Sequence, residues 1–340
     1  MTKLFLILCF GGLLGTGASL IGIPLPWLIG PLVGTAAIAL TGVEIKTPPQ
    51  MRKLGQMTAA VAIGTTFTPD VINGLSSYIG IIIFCAAASI LAAVVSASIL
   101  ARTGVGFETS FFASMPGGVA EMSVLAERYG GDTALVAVAQ SMRIIIVVVT
   151  IPIALVLLSD DVGTGTPAPH TMDLWWPGLL LMLVLAAVLG AGLDAINLMN
   201  AYFLAGLAVG AFAILGPMEI SSVPHSFVNV AQVLIGVALG ARVDPRVLAQ
   251  MHRFLPATVG GTVILIGFSA APSYWVHLAP GMAVQTPTLA TSPGGVAEMS
   301  ITARALHLVA PLVTSFHLVR ILMIVLMSAP VYRVCRRLAS

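Results

Sequence analysis

Glu121 and Arg143, and again Glu298 and Arg320, stand in or beside apolar sequence as matched pairs of opposite charge. Each glutamate belongs to the string Pro116-Gly117-Gly118-Val119-Ala120-Glu121-Met122-Ser123, which returns letter for letter from Pro293 to Ser300. In a low-dielectric setting a carboxylate can take a proton or a cation, with its affinity set by desolvation against a nearby arginine. A lone charge in a bilayer is costly, so each is expected to be paired or to face water. The pairs therefore read either as two structural Glu–Arg ion pairs or as coupling groups, and the two roles can coexist. The flanking chemistry is backbone chemistry. Proline suits the first turn of a helix, and glycine lets a ligand or another helix approach the chain closely. The amides and positive dipole end of the helix that follows favour an anion or a carbonyl oxygen. Pro116, Gly117, Gly118, Pro293, Gly294 and Gly295 are thus candidate substrate-binding positions. Ser114, Thr291 and Ser292 flank them as hydroxyl ligands or caps.

Other polar residues are weaker candidates. Gln140 and His317 precede the two arginines by three residues. His317 has a side chain able to titrate near neutral pH, although a lone histidine can equally be a satisfied core residue. Gln56 and Gln232 occupy matching positions in two short apolar runs. No catalytic set emerges: HExxH, GxGD and GxSxG are absent, and the six histidines are scattered. Cys9, Cys85 and Cys335 lie far apart without CxxC spacing, which points to neither a disulfide framework nor a zinc site. The expectation is a protein that is not an enzyme, with no metal and no cofactor.

These residues must be positioned by helices in lipid. Of 340 residues, 58% are hydrophobic and only 8% charged, against about 25% charged in an ordinary soluble domain. A globule so poor in charge could not cover its own surface with water-seeking groups, so lipid must be the outer solvent. The net charge of +2, without a basic stripe, argues against nucleic acid. At about 20 residues per crossing, the length suits roughly ten spans.

The recurring string is part of a duplication. At the same shift, Thr109, Ala113 and Arg143 match Thr286, Ala290 and Arg320. One residue less of shift relates Gln56, Gly64 and Pro69 to Gln232, Gly240 and Pro245, and Gly30 and Gly34 to Gly206 and Gly210. The spacing predicts repeat 1 over 1–160, a linker over 161–173 and repeat 2 over 174–340. Apolar runs cover about 4–22, 25–42, 54–68, 77–101 and 134–158, then 177–195, 200–217, 227–241, 255–276 and 309–330. The first of these, after Lys3, reads as a retained span. The Pro-Gly-Gly segment sits between the fourth and fifth runs of each half, too short to cross alone, and reads as a re-entrant or broken helix. With five crossings per half and a cytoplasmic N-terminus, twelve of the fifteen Lys and Arg fall inside, as the positive-inside rule requires. An odd number of crossings turns the second half upside down. The fold expected is an all-α polytopic membrane protein of two inverted repeats, each with about five transmembrane helices and one re-entrant or broken helix.

At the paired PGGVAEM motifs the sequence resembles the AbrB-family membrane proteins, and the resemblance spans essentially the whole chain. That family is grouped with secondary carriers that include cation/proton antiporters and bile-acid symporters. The resemblance implies inverted repeats with crossed or broken helices at the centre. Labels within the family include ammonia monooxygenase, for which this sequence has no His-rich metal cluster. A regulator label is shared with a small soluble DNA-binding protein that this chain does not resemble. The reading is a secondary transporter of a small solute, an organic anion or metabolite, working by alternating access with proton or cation coupling. The alternative is a membrane-embedded regulatory or sensor protein that affects gene expression indirectly. The location expected is the bacterial inner membrane, with both termini cytoplasmic. The partners expected are lipid and a small-molecule or ion substrate, with a homodimer left open.

Overall fold

Apolar runs in lipid must satisfy their own backbone hydrogen bonds, and a helix does so within one segment. The computed structural model describes residues 2–157, 173–216, 221–243, 245, 253–277 and 284–339, and no strand occurs among them. The first half forms α1 (Thr2–Leu20), α2 (Pro26–Leu40), α3 (Pro49–Gly64), α4 (Pro69–Leu75), α5 (Ile79–Leu100), α6 (Phe107–Ser114), α7 (Val119–Arg128) and α8 (Thr133–Leu157). The second half forms α9 (Trp176–Ala195), α10 (Ala201–Leu215), α11 (His225–Gly240), α12 (Phe254–His277), α13 (Gln285–Thr291), α14 (Val296–Ala305) and α15 (Ala310–Ala339). Among the described residues, five helical stretches are long and apolar enough to cross a membrane: Pro69–Thr103, Thr133–Leu157, Trp176–Ala195, Phe254–Ala271 and Ala310–Arg337. Four shorter apolar helices lie at Leu6–Leu20, Pro26–Leu40, Ala201–Leu215 and His225–Gly240. The predicted linker, apart from Asp173, and Arg246 of the counted cations lie outside the described residues.

Two compact units result, and each draws on both halves of the sequence. The first comprises Met1–Ser77, Pro152–Arg246 and Ser300–Pro311; the second comprises Tyr78–Ile151, Val247–Met299 and Leu312–Ser340.

In the first unit α1 packs on α2 and α9 on α10, while α3 runs along α10 and α11 along α2. Each half thus lends its third helix to the second helix of the other. Glycine makes these crossings possible: a Cβ on Gly206 or Gly210 would run into the carbonyl oxygens of Met57 or Val61, and one on Gly236 or Gly240 into those of Leu28 or Leu32. Small residues bring helix backbones together in membranes in this way, where dispersion packing replaces the hydrophobic drive. Met57, Val61, Leu179 and Met182 form the adjoining core. On α9, Leu180, Leu181, Val184 and Val188 are exposed, a surface suited to lipid.

In the second unit α5 and α12 pack side by side, α6 lies against α5 and α13 against α12. The exchange recurs, because α6 also reaches α12 and α13 reaches α5. This unit holds both Pro-Gly-Gly breaks.

Candidate functional site

Each break is a helix, four residues of non-helical chain and a second helix. In the first copy α6 ends at Ser114, Met115 is extended (φ −62°, ψ 126°) and Gly118, also extended (φ −74°, ψ 149°), is the N-cap of α7. None of the motif glycines has positive φ, so their purpose is room. The space beside Gly117 is filled by the Met122 side chain, and that beside Gly118 by the Glu121 carboxylate. Met299 and Glu298 fill the same spaces beside Gly294 and Gly295. The octapeptide therefore packs against itself. The glycines offered by the sequence as substrate positions thus have a methionine and a glutamate of their own string beside them.

The charges follow the helix ends. The last carbonyls of a helix lack intrahelical donors and carry the negative end of its dipole. Arg143 on α8 donates from Nη1 to the Met115 oxygen (3.1 Å) and from Nη2 to the Gly117 oxygen (3.5 Å). Its Nη2 also donates to Gln140 Oε1 at 2.5 Å. Gln140 Nε2 donates in turn to the oxygens of Phe112 and Met115, each at 2.8 Å. Arg320 on α15 repeats the arrangement, donating to the Ser292 oxygen and, at 2.5 Å, to the Gly294 oxygen. His317 Nε2 lies 3.1 Å from the Leu289 oxygen. Residues three apart share a helix face, so each Gln/His–Arg pair serves one set of carbonyls. Glu121 and Glu298 sit in the first turns of α7 and α14, at the positive dipole end. Among the described residues no ion pair joins Glu121 to Arg143. The expected Glu121–Arg143 pairing gives way because each charge meets a helix end of opposite sign closer at hand.

The two breaks open on one small cleft. Pro116 and Pro293 line it, with Thr291, Cys85 and Ser89 of α5 and Phe268 of α12. Arg143 and Arg320 are 3% and 4% exposed. Thr291 Oγ1 donates to the Ser269 and Pro287 oxygens, and Ser292 Oγ to the Leu289 oxygen. Ser114 Oγ is buried with no partner. Gln56 and Gln232 are both buried and belong to the first compact unit. No group of three His, Cys, Asp or Glu side chains suited to a metal occurs among the described residues.

An aromatic cluster beside the first break escaped the sequence reading. Phe107, Phe111, Phe112 and Tyr129 surround Tyr332 with ring centroids 4.6–6.0 Å apart. The Tyr332 hydroxyl donates to Glu108 Oε1 at 2.9 Å. A signal existed: the corresponding positions of the second half are Val284, Thr288, Leu289 and Leu306, with no aromatic among them.

Comparison with known proteins finds one family over most of the chain. Residues 27–336 match the model of the family described as "Transition state regulatory protein AbrB". The Bacillus subtilis (strain 168) protein YhjN, named as uncharacterized, is 25% identical over 347 residues, covering 94% of this chain and 90% of its own. An Escherichia coli (strain K12) protein called AbrB, with a provisional designation as a regulator, is 24% identical over 326 residues. That match covers 94% of this chain and 93% of the relative.

Proposed function

The chain belongs to the AbrB family, and from that premise we propose that it is a secondary carrier of a small solute, not an enzyme. The observation that carries this reading is that Pro116 and Pro293, one from each break, line the same cleft. Carriers built on broken helices bind substrate where two half-helix breaks converge. The two halves form inverted repeats, and the breaks enter the bilayer of the inner membrane from opposite faces. Alternating access then exposes the cleft to one side at a time. The bias of Lys and Arg toward one set of loops supports this topology, with both termini in the cytoplasm. Glu121 and Glu298, at the helix ends facing the breaks, carry the coupling proton or cation, and the solute is an organic anion or metabolite.

The test is flux into proteoliposomes under an imposed pH gradient, after a screen of solutes for thermal stabilisation. Wild type should accumulate a stabilising solute, while Glu121→Gln and Glu298→Gln should lose pH-driven accumulation. Normal coupled uptake by both variants would remove the glutamates from the mechanism. Single cysteines beside Gly117 and Gly294, in a background lacking the native three, should label from opposite compartments. Labelling of both from the same side would end the inverted-repeat reading. A second reading, a membrane-embedded regulator, is favoured by the wording of the E. coli relative's name. It predicts a stable complex with a cytosolic partner and no flux of any solute.

A further inference from the structure

We propose that Arg143 and Arg320 together form an anion site that receives a small carboxylate at the meeting of the two breaks. This rests on the carrier reading and names its substrate class. Both guanidinium groups are more than nine-tenths buried. Their hydrogen bonds to Met115, Gly117, Gln140, Ser292 and Gly294 go to neutral oxygens, which orient the groups and leave the charge in place. Among the described residues neither arginine is joined to a carboxylate in an ion pair. The Nε atom of each is buried with no partner.

Arg143 donates to the carbonyls on either side of Pro116 and Arg320 to those on either side of Pro293, and both prolines line one cleft; two buried like charges there raise the cost of the empty site. An anion between them relieves both the repulsion and the unmet donors. Guanidinium presents parallel N–H groups that match the two oxygens of a carboxylate, and fixing the remaining N–H groups on backbone carbonyls holds that donor edge in place. Ser114 Oγ, also buried and unpartnered at the end of α6, adds a neutral donor beside the first break. The cleft is lined by Pro116 and Pro293, the residues between the carbonyls that each arginine holds, and its small size favours a compact solute.

The experiment uses the full chain in lipid nanodiscs, with succinate, acetate, inorganic phosphate and an uncharged amide as probes. Succinate or acetate should stabilise the protein saturably, while the amide should not. Arg143→Gln and Arg320→Gln should each weaken that binding about tenfold or more, with partial rescue by lysine at either position. In wild type, the same carboxylate should shield Arg143 and Arg320, read peptide by peptide, from phenylglyoxal, which needs no variant to fold. Saturable phosphate binding without carboxylate binding would overturn the substrate class. Carboxylate binding that survives both glutamine variants, or that leaves both arginines unshielded, would overturn the site. Coupled flux of a cationic or neutral solute without carboxylate binding would sink the anion site and keep the carrier. Carboxylate binding with shielding but no flux would keep the site and sink the carrier.

Discussion

The two Pro-Gly-Gly breaks share eight residues and an arginine, and differ in how deeply they are buried and in the aromatic content of their flanks. Within each string the packing is the same: methionine over the first glycine, glutamate over the second, arginine on the intervening carbonyls. Outside it the surroundings diverge. Val124 is 63% exposed while its counterpart Ile301 is 1% exposed, and Glu121 is half-buried while Glu298 is 1% exposed. Five aromatic rings cluster beside the first break, with Gln140 next to its arginine; at the second, Val284, Thr288, Leu289 and Leu306 stand at the matching positions and His317 precedes the arginine. Local shape therefore belongs to the octapeptide, and the polarity in which it works belongs to the flanks. Equal letters do not give equal sites.

The most damaging way to separate the copies is to empty the aromatic cluster. Tyr332→Ala removes a fully buried ring and should cost about 3–5 kcal/mol, with faster amide exchange across 107–129 and little change across 285–305. Uniform loosening of both segments would mean the breaks do not unfold independently. Next comes a methyl placed where a carboxylate rests. Gly295→Ala should cost about 1–3 kcal/mol in thermal unfolding, and Gly118→Ala less, because the half-exposed Glu121 can swing toward water. Removing the charge while keeping the shape is milder. Glu121→Gln should lower stability by about 0.3–1 kcal/mol and Glu298→Gln by up to about 2 kcal/mol, so reversal of that order would refute the burial contrast. The smallest change recreates one copy in the other. His317→Gln restores the first copy's carbonyl ligand and should cost no more than about 1 kcal/mol in thermal unfolding.

Much of this was legible in the sequence. The apolar runs predicted helices at 26–40, 133–157, 176–195 and 201–215 to within a few residues, because lipid leaves the backbone few other choices. The breaks were legible as Pro-Gly-Gly interruptions. The helix partners were less so. That α3 runs along α10 and α2 along α11 depends on glycines meeting carbonyls across halves, and spacing within one helix does not reveal its neighbour. The partners of Arg143 were not legible at all. Counting charges suggests glutamate, but the nearest complement is a helix end, a dipole with no letter of its own. Nor did the glycines declare that their vacant sides were reserved for Met122 and Glu121.

Self-packing of the octapeptide has a consequence for descent. Because each string packs against its own interior, a change to either glycine, to the methionine or to the glutamate disturbs that copy, most where the flanks bury it. After an ancestral gene doubled, the flanks were free to drift toward tyrosine in one lineage of sequence and leucine in the other, while the central letters were held in place twice over, each by the same private test.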